Sequence, residues 1–238
     1  MLIFLSANIS AQTKVAVYQG MYVEHDLAVA NAFIAGYNSY GIWDDTLDMV
    51  STSINSAYTS GYDLYIKSYT GATSHFSEAD QTWNSGNGML VVMPLGSNTY
   101  AHMLQSDSLM STLVLVGAGN DSNQTAYSIE FFGPDAYGNT WPASSFSAGY
   151  IAGQLAFIRD SLGCSWWEAR YRARATASSV PWSYKNGFGK INVLAAINYS
   201  GAIKDDPYPR SIPVVIEHLK TRAVLRNLPV WFKGDSPE

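Results

Sequence analysis

The chain has 238 residues, of which 47% are apolar and 14% are charged, and its formal net charge is -5. This apolar content excludes a disordered chain, the net acidity argues against general nucleic-acid binding, and no apolar run is long enough to span a membrane. The single cysteine, Cys164, excludes an internal disulfide framework and a cysteine-rich zinc site.

The acidic side chains are concentrated in the first two thirds of the chain. Residues 1–158 contain 12 acidic and two basic side chains, whereas residues 159–238 contain seven acidic and 12 basic ones. This asymmetry predicts that a binding site built from the first part would attract cationic partners.

Residues 1–13 have two interpretations. The segment MLIFLSANISAQ is similar to the rear half of a secretory signal peptide, because a short apolar run is followed by small residues around Ala7 and Ala11. It lacks the positively charged start of such a signal, so an N-terminal arm or edge strand stays open. The first interpretation predicts a secreted or extracytoplasmic protein.

Strand and helix patterns alternate from residue 14 onward. Short β-branched or apolar runs predict strands, and apolar residues three or four apart predict helices. In the first part of the chain these patterns give a strand, two helices and a strand: Lys14–Tyr18, His25–Tyr37, Thr46–Ser60 and Leu64–Ser68.

The same patterns continue to residue 200. They give a capped helix, two strands and two long helices: Ser74–Asn84, Met89–Met93, Leu113–Val116, Ser145–Leu162 and Trp166–Ala177. In the last of these helices Arg170 and Arg174 lie four residues apart, which favours a solvated basic side. Because the strands are apolar runs separated by helices, we predict a three-layer α/β fold with a mostly parallel central sheet flanked by helices.

The domain predicted from these patterns covers residues 14–200, and residues 201–238 form a C-terminal extension. Five prolines and mixed charges without a clean period mark the extension, with one short helix near Glu217–Arg226.

Sequence signals of cofactor and metal chemistry are missing. There is no P-loop and no Gly-x-Ser-x-Gly elbow, and Gly117 and Gly119 do not open a dinucleotide-binding fingerprint. The four histidines do not have metal-ligand spacing. We therefore expect no cofactor and no catalytic metal.

A serine at a helix start is the chemical feature that remains. Ser145 opens the predicted helix, where the first-turn amides are unpaired and the helix dipole is positive, so an oxyanion there would be stabilised. The alternative is that Ser144 or Ser145 only caps the helix.

Several segments of the chain, taken together, match the motifs of one family. SSFSAGYIAG, with Ser145 in the nucleophile position, resembles the active-site serine motif of the subtilisin-like serine peptidases. Downstream, NGFGKINVLAAI, residues 186–197, is similar to the turn and final helix of the family. Upstream, KVAVYQG looks like the strand that ends in the catalytic aspartate, and HDLAVAN looks like the helix start that carries the general base, which would be His25.

Two further strands extend the resemblance to about residues 14–198. GMLVVMPLGSN resembles the strand that leads to the oxyanion-hole asparagine, which would be Asn98, or Ser97 if the alignment slips by one residue. GYDLYIKSYTG, residues 61–71, looks like the strand whose exit lines the specificity pocket.

The sequence departs from the family pattern at the acid. Gln19 occupies the aspartate position, and a neutral amide cannot stabilise an imidazolium as a carboxylate does. Glu24 or Asp26 could substitute only by folding back onto the ring of His25, because adjacent helix positions do not face one another. Since the segment before His25 is short for the family, His25 as an ordinary polar residue at a helix start also stays open.

The serine motif also departs from the family pattern. Gly149 stands where the family has a proline, and Gly149 and Gly153 have the alternative role of letting this helix pack closely on its neighbour.

The resemblance implies a subtilisin-like fold and a serine endopeptidase that cleaves peptides or proteins through an acyl-enzyme. Many members of the family bind structural calcium, but the acidic group Asp44, Asp45 and Asp48 shows no ordered ligand loop. Two alternatives stay open: a catalytically inactive module of the same fold that binds peptide or a protein partner, and an unrelated α/β binding protein.

Overall fold

The structure is a computed structural model, and it describes residues 13–20, 23–45, 47–67, 89–94, 113–118, 131–133, 144–178 and 188–203. Several predictions fall on other parts of the chain. The signal-like residues 1–12, the helix Ser74–Asn84, the extension beyond residue 203, and both Ser97 and Asn98 lie outside the described residues.

Six strands of the described chain form one sheet. They are β1 (Val15–Tyr18), β2 (Leu47–Val50), β3 (Leu64–Ile66), β4 (Leu90–Pro94), β5 (Leu113–Ala118) and β6 (Phe131–Gly133). Their order across the sheet is β2-β1-β3-β4-β5-β6, and every neighbouring pair is parallel. The predicted parallel sheet is therefore confirmed.

Five helices accompany these strands in the described ranges. They are α1 (Val23–Asn38), α2 (Ile54–Thr59), α3 (Ser144–Leu162), α4 (Trp166–Thr176) and α5 (Val193–Ile197). Of the helices that can be described, none combines the length and the apolar character needed to cross a membrane.

Both faces of the sheet are covered. Successive residues of β1, from Val15 to Val17, are buried, as is every residue of β3 and β4. Side chains of successive residues point to opposite faces, so such runs require cover on both sides. The chain moves from β1 outward to β2 and then back past β1 to β3. Because crossovers between parallel strands are right-handed, this order predicts that α1 and α2 cover opposite faces. The predicted three-layer α/β fold is confirmed.

The prediction of one helix over Thr46–Ser60 is wrong in its first half. Residues Leu47–Val50 form β2, which pairs with β1, and the helix begins only at Ile54. Leu47 and Met49 pack against the core, whereas the carboxylate of Asp48 accepts a hydrogen bond from the Tyr62 hydroxyl at 2.7 Å. This alternation has the period of a strand.

Helices α1 and α3 touch through glycines. A Cβ added at Gly149 would collide with the carbonyl oxygen of Val29, and one at Gly153 would collide with that of Phe33. On the other helix, a Cβ at Gly36 would collide with the carbonyl oxygen of Tyr150. The close-packing role weighed for Gly149 and Gly153 is therefore confirmed.

The solvated basic side expected on the second long helix is not present. Arg170 is 1% exposed and Arg174 is 5% exposed, because α4 packs on both α3 and α5. The guanidinium of Arg174 lies 5.5 Å from the centre of the Phe188 ring. A guanidinium can stack on an aromatic face, which makes this burial tolerable.

Candidate active site

The candidate site lies where β1 ends and α1 begins. In parallel α/β sheets, ligands bind outside the carboxyl ends of the strands. β1 ends at Tyr18, and α1 begins at Val23, so the first turn of α1 lies at this edge. His25 is in that first turn.

The packing of α3 on α1 brings the start of α3 to the same place. Gly149 lies against Val29, and four residues later Gly153 lies against Phe33. The contacts advance in the same direction along both helices, so the helices run parallel with their first turns together. One turn earlier, this register leads from Gly149 to Ser145 and from Val29 to His25.

A direct contact between the two first turns agrees with this register. The ring of Phe146, the residue after Ser145, lies 5.6 Å from the imidazole of His25, centre to centre, at an angle of 43°. Phe146 is buried, and the side chain of His25 is only 10% exposed. The imidazole is thus packed between the two helix starts.

The imidazole of His25 also contacts a carboxylate. Its Nδ1 lies 3.3 Å from Oδ1 of Asp26, the next residue of α1. The other oxygen of Asp26, Oδ2, accepts a hydrogen bond from the backbone N–H of Gly20 at 3.0 Å. Because Oδ2 is held towards the end of β1, Oδ1 is turned onto the neighbouring ring.

The surroundings of the buried Asp26 carboxylate stabilise a negative charge. Its side chain is 1% exposed, and a buried charge is tolerated only when it is paired and hydrogen-bonded. It also lies in the first turn of a helix, where the dipole favours negative charge.

Gln19 stands directly after β1, as the sequence predicts. Its backbone N–H donates to the carbonyl oxygen of Val50, which extends the pairing of β1 with β2 by one residue. The carboxylate observed beside His25 comes from Asp26 in α1 and not from the strand end.

Ser145 is the second residue of α3 and is partly buried. Its backbone N–H is among the first amides of the helix, which have no partner within the helix. Ser147, one residue beyond Phe146, is fully buried. In this first turn Ser145 is therefore better placed than Ser147 to meet a substrate.

Ser97 and Asn98, the predicted oxyanion donors, lie outside the described residues. The strand that leads towards them is confirmed: β4 ends at Pro94, which pairs with Val116 of β5. The approach to the predicted donor therefore comes from the same edge of the sheet.

A buried lysine lies close to the end of β1, and the sequence reasoning did not find it. Lys67 directly follows β3 and is 1% exposed, and its Nζ lies 5.0 Å from the centre of the Tyr18 ring. The sequence feature that could have indicated Lys67 is a lysine placed directly after an apolar strand. Such a lysine lies at the ligand-binding edge when the strand is parallel to its neighbours.

The single cysteine is a poor alternative nucleophile. Cys164 follows the far end of α3, and burial raises the pKa of its thiol to about 11. At neutral pH the thiol is therefore protonated, whereas the reactive form is the thiolate.

No group of three or more His, Cys, Asp or Glu side chains that could hold a metal ion occurs among the residues that the structure describes.

No protein-family profile matches the sequence, and no curated protein matches it. Similar solved structures include the periplasmic assembly of an ESX-5 inner membrane complex, with 15% identity, coverage of 66% of this chain and 53% of that chain, and a TM-score of 0.47. MycP1 from Mycobacterium smegmatis gives 16% identity, coverage of 66% of this chain and 55% of that chain, and a TM-score of 0.48.

Fervidolysin from Fervidobacterium pennivorans, a keratinolytic enzyme related to subtilisin, gives 15% identity, coverage of 64% of this chain and 29% of that chain, and a TM-score of 0.47. The chain spans about half the length of the ESX-5 and MycP1 chains that it matches. At these identities and TM-scores the similarities assign no role to any residue.

Proposed function

We propose that this chain is a subtilisin-like serine endopeptidase domain, with Ser145 as nucleophile and His25 as general base. The observation that carries the proposal is the parallel packing of α1 on α3, which brings the first turns of both helices together. A nucleophile and its base need hydrogen-bond reach of one another, and two adjoining helix starts can provide it.

The proposed reaction is acyl transfer. Oγ of Ser145 attacks the peptide carbonyl while Nε2 of His25 takes its proton, and His25 then returns the proton to the leaving amine. The backbone N–H of Ser145 and the side chain of Asn98, or of Ser97, hold the oxyanion. Loss of one such donor costs about 2.7–4 kcal/mol of transition-state stabilisation. Water then releases the acyl group from Ser145.

The proposed substrates are peptides or proteins, and the chemistry requires no cofactor. The family resemblance also allows a structural calcium ion. A secreted or extracytoplasmic location is proposed from the signal-like character of residues 1–13.

A fluorophosphonate probe tests the proposal, because it reacts covalently with an activated serine. We expect the purified protein to be labelled and Ser145→Ala to lose all labelling. Ser161→Ala is the matched control, since Ser161 lies on the same helix four turns away from Ser145. It should label like the unchanged protein.

Two results would contradict the enzyme. Folded protein that takes up no probe would favour a non-catalytic module that binds peptide. Labelling that persists in Ser145→Ala would place the reactive group elsewhere.

A further inference from the structure

We infer that Asp26 replaces the missing strand carboxylate and positions the imidazole of His25. The catalytic consequence rests on the proposed peptidase function, whereas the pairing of the two side chains rests on geometry alone. Oδ1 of Asp26 lies 3.3 Å from Nδ1 of His25; the side chain of Asp26 is 1% exposed and that of His25 is 10% exposed.

The chemistry of His25 depends on which of its two ring nitrogens contacts the carboxylate. When a carboxylate accepts the Nδ1 proton, the neutral imidazole is held in the tautomer whose Nε2 is free to take a proton from a serine. The contact of Asp26 is to Nδ1 of His25. It therefore leaves Nε2 available for Ser145.

The carboxylate is itself held in place. Oδ2 of Asp26 accepts the N–H of Gly20 at 3.0 Å, so the connection between β1 and α1 fixes the orientation of the carboxylate. Only residues 19–22 separate β1 from α1. The shortness of this segment, a departure from the family pattern, is what brings the Gly20 amide back to the first turn of the helix.

The imidazole is restrained on a second side. The ring of Phe146, from the first turn of α3, lies 5.6 Å from the ring of His25. The other carboxylate of the first turn, Glu24, is exposed to solvent. Of the two acids that flank His25, Asp26 is the one in contact with the ring.

The first experiment measures the tautomer of His25 directly by ¹⁵N NMR of the imidazole nitrogens, at a pH where the ring is neutral. His25→Gln assigns the signal among the four histidines. We expect the unchanged protein to hold the proton on Nδ1. A proton held mainly on Nε2 would overturn the inference, and this result needs no variant of Asp26.

The second experiment compares Asp26→Asn with the matched control Glu24→Gln. The amide of Asp26→Asn can donate to Nδ1 and so favour the wrong tautomer, and in a serine peptidase triad an aspartate-to-asparagine change of this kind lowers turnover about 10⁴-fold. We expect the rate of fluorophosphonate labelling to fall by about this factor in Asp26→Asn, with the His25 proton moved to Nε2. Glu24→Gln should change neither readout.

The two proposals fail in different ways. If the unchanged protein is not labelled while Asp26→Asn still moves the proton of His25, the peptidase function fails and the positioning role of Asp26 stands. If the protein is labelled and Asp26→Asn labels at the same rate, the positioning role of Asp26 is overturned and the peptidase function stands.

Discussion

At the scale of single residues, Asp160, near the C-terminal end of α3, is a buried carboxyl group outside the candidate site. It accepts hydrogen bonds from the hydroxyls of Thr13 at 2.7 Å and Tyr37 at 3.3 Å, and Nη1 of Arg159 lies 3.6 Å away. Burial nevertheless outweighs these partners and raises the pKa of Asp160 above its ordinary value of 3.8. Burial and the neighbouring Asp160 also raise the pKa of the Tyr37 phenol.

The raised pKa of Asp160 makes stability depend on pH in a defined direction. Above its ordinary pKa of 3.8 the folded protein binds this proton more tightly than the unfolded chain. The contribution of Asp160 to the free energy of unfolding is therefore complete below pH 3.8 and falls as the pH rises through the raised value. We expect the difference in unfolding free energy between the unchanged protein and Asp160→Asn to decrease over this window. Urea unfolding at a series of pH values measures it, and a difference that increases with pH would contradict the prediction.

At the scale of secondary-structure elements, the contact between α1 and α3 joins stability to function. Alanine normally stabilises a helix interior by roughly 1 kcal/mol relative to glycine. At Gly149, however, the added methyl group would meet the carbonyl oxygen of Val29, which is backbone and cannot turn aside.

We therefore expect Gly149→Ala to lower the free energy of unfolding by about 1–3 kcal/mol, as overpacking does. Because the first turns of α1 and α3 would be pushed apart, the rate of fluorophosphonate labelling should fall as well. Asn31→Ala, at an exposed position of α1, is the control and should leave labelling unchanged. A Gly149→Ala protein that is more stable would show that the helices are not in backbone contact.

At the scale of the whole molecule, the sheet and its two long flanking helices could be predicted from the sequence, because apolar runs and helical spacing report local preferences. β2 was missed because Leu47, Val50 and Ile54 are three and four residues apart, which is the spacing of a helix. β6 was missed because Phe131–Gly133 is too short for a pattern. The burial of Arg170 depends on the partners of α4, which no local pattern shows.

For the candidate site too, some features could be predicted from the sequence and others could not. That the first turns of α1 and α3 lie together follows from topology, since parallel elements present their first turns at one edge. The contact of Asp26 with His25 depends on a hydrogen bond from the Gly20 amide, and the spacing of residues in the sequence argued against it. Asn98 stays a prediction.

The distribution of charge over the whole chain predicts which peptides the site prefers. Basic side chains are concentrated beyond residue 158, and the first of them, Arg159, lies 14 residues along α3 from Ser145, roughly 21 Å at 1.5 Å per residue. Two of these cations also face carboxylates: Arg159 lies 3.3 Å from Asp63, and Arg172 lies 2.8 Å from Glu168. His25 and Ser145 therefore both belong to the acidic part of the sequence, residues 1–158.

We expect a peptide flanked by lysines to be cleaved with a higher kcat/KM than the same peptide flanked by glutamates, by about tenfold at low ionic strength. Interactions between exposed charges are screened over about 8 Å at 0.15 M salt, so the ratio should shrink towards one as salt is added. Fluorescence anisotropy with Ser145→Ala compares the binding of the two peptides without turnover. A preference for the glutamate peptide, or a ratio that salt does not change, would mean that contacts with neutral parts of the peptide determine selection, because only a long-range field gives both the sign and the salt dependence.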